Sequence, residues 1–171
     1  MAAPYSWVER KFRFDFETGV YPAVLMRLRG APARAEELLG DADDRQVRRR
    51  PGEGKWSALE RIGHLVEIEA LWDARVSDFL RGAETLTPAD PYNPPAFSAN
   101  YNALPAAEVL AAFRTAREAL LARLDALGPE DFARTALHPR LKQPLRLVDA
   151  LCFAAEHDDH ELAWVWELLR G

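Results

Sequence analysis

The chain has 171 residues, 49% of them apolar and 29% charged, a balance that excludes disordered and fibrous classes and fits one globular domain over 1–171. A net charge of −5 argues against a nucleic-acid partner, because phosphate-binding surfaces carry excess Lys and Arg. The single cysteine, Cys152, excludes an internal disulfide and a thiolate cage, so any metal must be held by imidazole and carboxylate.

The stretch Met1 to Phe16 mixes Glu9, Arg10, Lys11, Arg13 and Asp15 with its aromatics, and nowhere does the chain approach the roughly 18 uninterrupted apolar residues of a membrane span. The expected setting is the cytoplasm, with no membrane partner. Tyr21 to Leu39 places Val24, Leu25, Leu28, Ala35, Leu38 and Leu39 at helical spacings, with Gly30-Ala31-Pro32 expected to kink or break this first helix. Gly40 to Gly54 is polar, turns at Pro51-Gly52, and carries the run Arg48-Arg49-Arg50, which reads as a solvated loop.

The second helix is strongly signalled. Ser57 and Glu60 have capping-box spacing, and Ile62, Leu65, Ile68, Leu71, Trp72, Val76 and Phe79 continue one stripe to Gly82. From Ala83 to Leu104 the prolines 88, 91, 94 and 95 disfavour helix, which predicts a long crossover loop whose part Ala89 to Ala96 suits a pocket rim or a subunit contact. Pro105 fits the first turn of a third helix carrying Val109, Leu110, Phe113, Ala116, Leu120, Leu121, Leu124 and Leu127, which Gly128-Pro129 ends. A connection through His138-Pro139 and Pro144 leads to a fourth helix, Leu145 to Arg170, and no stretch alternates long enough to predict a sheet. The expected class is an all-α four-helix bundle with a long crossover between helices two and three.

Inside the fourth helix lies Glu156-His157-Asp158-Asp159-His160-Glu161. On a helical wheel His157 falls amid Ala150, Phe153, Trp164 and Leu168, and Glu161, about 40° away, shares that face. His160 falls at its edge, and Asp158 also turns toward apolar neighbours. On the second helix His64 shares the direction of Ile68, Leu71 and Phe79, flanked by Glu60 and Glu67. A lone inward histidine is usually a satisfied core residue, but three candidate ligands on two inward faces favour a divalent metal over a buried polar network. The third ligand is open: His157 with Glu161 has the i, i+4 spacing by which one helix supplies two ligands, and His157 with His160 shares a face at i, i+3. Trp56, Trp72, Trp164 and Trp166 read as packing, His138 as a surface loop residue, and Cys152 as a small packed side chain.

The segments Gly54-Lys55-Trp56-Ser57 through Gly63-His64-Leu65 and Ala155-Glu156-His157-Asp158-Asp159-His160 resemble the two helix motifs of the DinB-like (DinB/YfiT-like) metal-binding superfamily. The resemblance implies an up-down-down-up bundle and a divalent ion, commonly nickel or zinc, held by one histidine of helix two and two of helix four spaced i, i+4. His64 and His157 match, but the third position is Glu161 here. That departure leaves a His-His-Glu site, a shift to His160, or loss of the ion, and a mixed donor set admits manganese or iron as well. Glu60, Glu67 and Asp158 are candidates to orient the imidazoles. Relatives of this kind include transferases and isomerases using a low-molecular-weight thiol such as bacillithiol or mycothiol, so the resemblance implies a thiol S-transferase acting on a small molecule. The alternatives are a metal-dependent hydrolase and a non-catalytic bundle that forms a homodimer or binds a partner through exposed aromatics.

Overall fold

A computed structural model of the chain describes residues 6–40, 42–89 and 99–171. Among them, four long helices make the body: α1 Tyr21–Gly40, α3 Ala58–Leu80, α4 Ala106–Asp125 and α5 Leu147–Arg170. A short α2, Asp44–Arg48, precedes α3. Helix α3 packs against α4 and α5, and α1 packs against the same two. None of the described helices is long and apolar enough to cross a membrane.

Helix α1 runs unbroken through Pro32, where a kink or a break was expected. Proline has no amide hydrogen to give the carbonyl four residues back, and here the Leu28 carbonyl instead accepts a hydrogen bond from the Arg117 guanidinium at 2.9 Å. The lost backbone bond is thus replaced from α4. Arg117, fully buried, also donates to Glu69 of α3 at 3.0 Å and to Asp158 of α5 at 2.6 Å, so one side chain joins all four long helices.

Helix α2 was absent from the expected elements, although Asp43 and Gln46 form a reciprocal capping box and Val47 is buried. The arginine run is largely exposed, as expected, Arg49 and Arg50 more so than Arg48, yet each of its side chains is also tied to the fold. Arg48 donates to the Leu104 carbonyl at 2.9 Å, Arg49 to the Leu168 carbonyl at 3.1 Å, and Arg50 to Glu60 at 2.9 Å. These bonds tie the linker to the approach to α4, the end of α5 and the start of α3. That start follows the sequence closely: the Ser57 hydroxyl accepts from the Glu60 amide, and the Glu60 carboxylate accepts from the Ser57 amide. Beyond Arg81, Gly82 at φ +70° ends α3 in the left-handed conformation that glycine adopts without penalty.

The expectation of no sheet is corrected by a small antiparallel hairpin, β1 Thr135–His138 with β2 Gln143–Arg146. Its strands are four residues long, too short for alternation to register in the sequence. The pleat buries Ala136 and His138 on one side of β1, so His138 is not the surface residue expected of a loop. The hairpin takes Leu145 and Arg146 from the expected fourth helix, and α5 begins at Leu147. Pro91, Pro94 and Pro95 lie outside the described residues.

Removing one partner of a buried ion pair strands the remaining charges, at a cost of about 3–5 kcal/mol. Urea unfolding of Arg117→Met should show a loss of that order. By contrast, Arg29→Ala, which breaks the exposed pair of Arg29 with Asp125, should cost less than about 1 kcal/mol.

Candidate metal centre

The caps that start α3 place His64 two turns inside the helix, and Gly63 beside it admits the ring of Tyr101. A methyl group added at Gly63 would overlap that ring. The Tyr101 hydroxyl donates to Glu67, one turn beyond Gly63, which fixes the ring across the helix. On α5, the Arg117 bond to Asp158 holds the residue next to His157. Both histidines therefore sit on segments pinned from several sides.

Their Nε2 atoms face each other at 3.3 Å. The Glu161 Oε1 lies 3.7 Å from the His157 Nε2. One ligand atom each from His64, His157 and Glu161 falls within a sphere of mutual distances no greater than 4.8 Å. Two nitrogens bound tetrahedrally at about 2.0–2.1 Å stand roughly 3.3–3.4 Å apart, so the imidazole pair fits a shared cation. The edge from His157 to Glu161 is a few tenths of an ångström wider. His160 is not part of this group; its ring packs 5.6 Å from that of Trp7.

The electrostatics suit a cation as well. His157 is only 4% exposed, and burial, aided by repulsion from His64 and His160, pushes its pKa well below the ordinary imidazole value. Burial and the nearby Arg61 lower His64 to about 4. Both rings are therefore neutral at pH 7, the form that ligates metals. Burial raises the pKa of Glu161, opposed by Arg61, whose guanidinium donates to Oε2 at 2.6 Å. That bond occupies one carboxylate oxygen and leaves Oε1 on the imidazole side. Arg61 also lies over the Trp164 ring at 4.6 Å and the Trp56 ring at 5.8 Å, which holds the guanidinium in place.

The other acidic residues of the cluster serve arginines. Glu156 binds Arg10 and Arg27, Asp159 binds Arg27 and Arg34, and Asp158 binds Arg117. The expectation that Glu60, Glu67 and Asp158 orient the imidazoles is corrected: they accept from Arg50, Tyr101 and Arg117. The buried Nδ1 atoms of His64 and His157 have no hydrogen-bond partner among the described residues. Aromatic walls orient the rings instead, Trp56 lying 4.9 Å from His64 and Trp7 5.0 Å from His157.

Three neighbours of the site escaped sequence reasoning. Arg61 stands three residues before His64 and so shares its helix face, a spacing that was available to be read. Trp7 lies in a short 3-10 turn, Trp7–Glu9, whose surroundings carry no period. His138 was hidden by the missing hairpin. Trp7, Trp72, Phe153, His138 and His157 line a cavity of about 290 Å³ that reaches the metal-ligand cluster at His157. A larger groove of about 610 Å³ passes Arg34, Leu38, Asp159 and Trp166, and no residue of the ligand cluster lines it. Trp166, expected in packing, is half exposed there.

The lowered imidazoles carry a pH signature in the metal-free protein. An unfolded histidine takes its proton near 6.5, whereas His64 and His138 hold off until about 4. As pH falls from 6.5 toward 4 the unfolded chain binds protons that the folded chain does not, so stability present above 6.5 is lost through that window. The melting temperature should fall over this range, and the Hε1 resonances of both rings should titrate near 4; midpoints near 6.5 would contradict the burial described.

No curated protein sequence matches the chain. Among solved structures it is similar to YfiT from Bacillus subtilis, with 22% identity over 95% of this chain and 93% of that one and a TM-score of 0.78. That protein is described as a probable metal-dependent hydrolase with an unusual four-helix bundle topology. The family model of the DinB superfamily matches residues 27–165, a span that contains both histidines, Glu161 and all four long helices but for the first turns of α1 and the last of α5. The chain belongs to the DinB superfamily.

Proposed function

We propose that this protein is a divalent-metal-dependent enzyme, its ion held by His64, His157 and Glu161, and that it hydrolyses a small molecule. The observation that carries the proposal is the meeting of those three ligand atoms, from two helices, within 4.8 Å. The description of YfiT as a probable metal-dependent hydrolase supports the hydrolytic choice. Two imidazoles with one carboxylate suit zinc or nickel best and leave manganese and iron within range.

A bound ion would supply Lewis acidity and lower the pKa of a coordinated water. The chain's own residues do the rest. His64 and His157 present neutral Nε2 atoms, and Arg61 neutralises the outer oxygen of Glu161. Trp7 and Trp56 shield the rings from bulk water. His160, half buried and kept neutral by burial and by the charges of Arg61 and Arg10, shares Trp7 with His157, which supports a role for it as the base that takes up a proton during hydrolysis.

Thiol transfer is the second reading. In that reading the reactive thiolate would come from a small-molecule cofactor, because burial raises the pKa of Cys152.

Elemental analysis of the purified protein should find about one divalent ion per chain. His64→Ala, His157→Ala and Glu161→Gln should each weaken metal binding more than the roughly 10–100-fold typical of outer-sphere changes. His160→Ala should keep the ion while slowing ester or amide hydrolysis about 10²–10⁴-fold. Activity only with bacillithiol or mycothiol and an electrophile would select the second reading. Absence of metal, with a melting temperature unmoved by chelator, would contradict both.

A further inference from the structure

The cavity that reaches His157 has apolar walls but holds two cations. Arg75, on α3, is 4% exposed, and its Nε donates to the Thr87 carbonyl at 3.0 Å. The rest of its guanidinium has no hydrogen-bond or carboxylate partner among the described residues. The acids nearest in sequence are engaged elsewhere, Asp73 by Arg123 and Asp78 by Arg81 and the Thr87 amide. Arg140, in the turn between β1 and β2, lies 5.8 Å over Trp7 and 5.4 Å over Phe153, likewise with no side-chain hydrogen bond or ion pair among the described residues. Both arginines line the cavity.

The contrast with the rest of the molecule is sharp. Buried Arg117 has two carboxylates, and Arg61 has Glu161. A guanidinium removed from water without an anion is costly; buried Arg75 is in that position, and exposed Arg140 lines the same cavity. Burial, with repulsion from Arg140, lowers Arg75 to about 10, which still leaves it charged at pH 7.

A third donor lies beside them. The His138 Nδ1 accepts hydrogen bonds from the Arg140 and Leu141 amides, each at 3.2 Å. In the neutral ring that acceptor role puts the proton on Nε2, and the buried Nε2 has no partner. His138 too lines the cavity, which is walled by Trp7, Trp72 and Phe153.

We propose that this cavity binds an anionic group, carboxylate or phosphate, carried on a small apolar or aromatic body, through Arg75, Arg140 and the His138 Nε2–H. Guanidinium forks match both anions. The volume of about 290 Å³ limits the body to the size of a single ring with short substituents. As a substrate subsite the assignment rests on the metal centre proposed above, because His157 belongs to both. Anion binding itself does not need the ion.

The test is calorimetry on chelator-treated protein with three probes: benzoate, phenyl phosphate and neutral benzyl alcohol. At least one anion should bind tenfold or more tighter than the alcohol, and the tighter of the two identifies the class. Arg140→Gln, which breaks no hydrogen bond in the fold, should weaken that anion roughly ten- to hundredfold, as expected for a lost charge-assisted bond. Arg75→Gln should do the same where its circular dichroism stays native. Equal affinity for the alcohol, or unchanged affinity in Arg140→Gln, would overturn the proposal, as would anion binding that appears only after metal is added. In protein loaded with cobalt(II), relaxation of the bound probe's ring protons is expected. Arginine-dependent binding without that relaxation would overturn the subsite role, and failure of the chain to take up cobalt would instead count against the metal centre.

Discussion

The structure depends on one buried guanidinium. Arg117 leaves α4, satisfies the Leu28 carbonyl that Pro32 deprives of its amide, and pairs with Glu69 on α3 and Asp158 on α5. Burial raises the pKa of both acids against the pull of Arg117. A cation in the core carries a large desolvation cost, which its carboxylates offset only in good geometry. The arrangement is therefore a weak source of net stability but a strict one of register, since sliding any helix by a residue would strand a charge. Register is what the site needs, because His157 precedes Asp158 and His64 lies five residues before Glu69.

The same accounting of charges separates structure from chemistry in the acidic turn of α5. Arginines from the N-terminal segment, α1, α3 and α4 take Glu156, Asp158, Asp159 and one oxygen of Glu161. What is left without a cation is Oε1 of Glu161 and the neutral imidazoles beside it. In a chain of net charge −5, the reverse imbalance next door, buried Arg75 and exposed Arg140 without acids among the described residues, marks a place for an anion. Ligand cluster and cationic cavity meet at His157, so an anionic molecule seated in the second would lie beside the first.

Much of this was legible in the amino-acid order. Stripes of period 3.6 announced the four long helices, the Ser57 and Glu60 pair announced the start of α3, and the two helix faces announced an inward His157 and a His64 at the core edge. What stayed hidden depends on contacts distant in sequence. Nothing local says that Arg117 will mend the gap left by Pro32, or that Arg48, Arg49 and Arg50, though open to solvent, will find carbonyls and Glu60. The hairpin that buries His138 has four-residue strands, and Trp7 sits in an aperiodic segment. The capping box of α2 was readable at Asp43 and Gln46, but a single turn of helix has little periodicity to attract notice.

The central claim is that His64, His157 and Glu161 hold one cation. X-ray absorption at the metal edge of the loaded protein tests it most directly, read beside the same spectrum for Glu161→Gln. The account predicts two imidazoles in the first shell together with a carboxylate oxygen whose contribution changes in the variant. A first shell without imidazole scattering, or one of three imidazoles unaltered by Glu161→Gln, would contradict it.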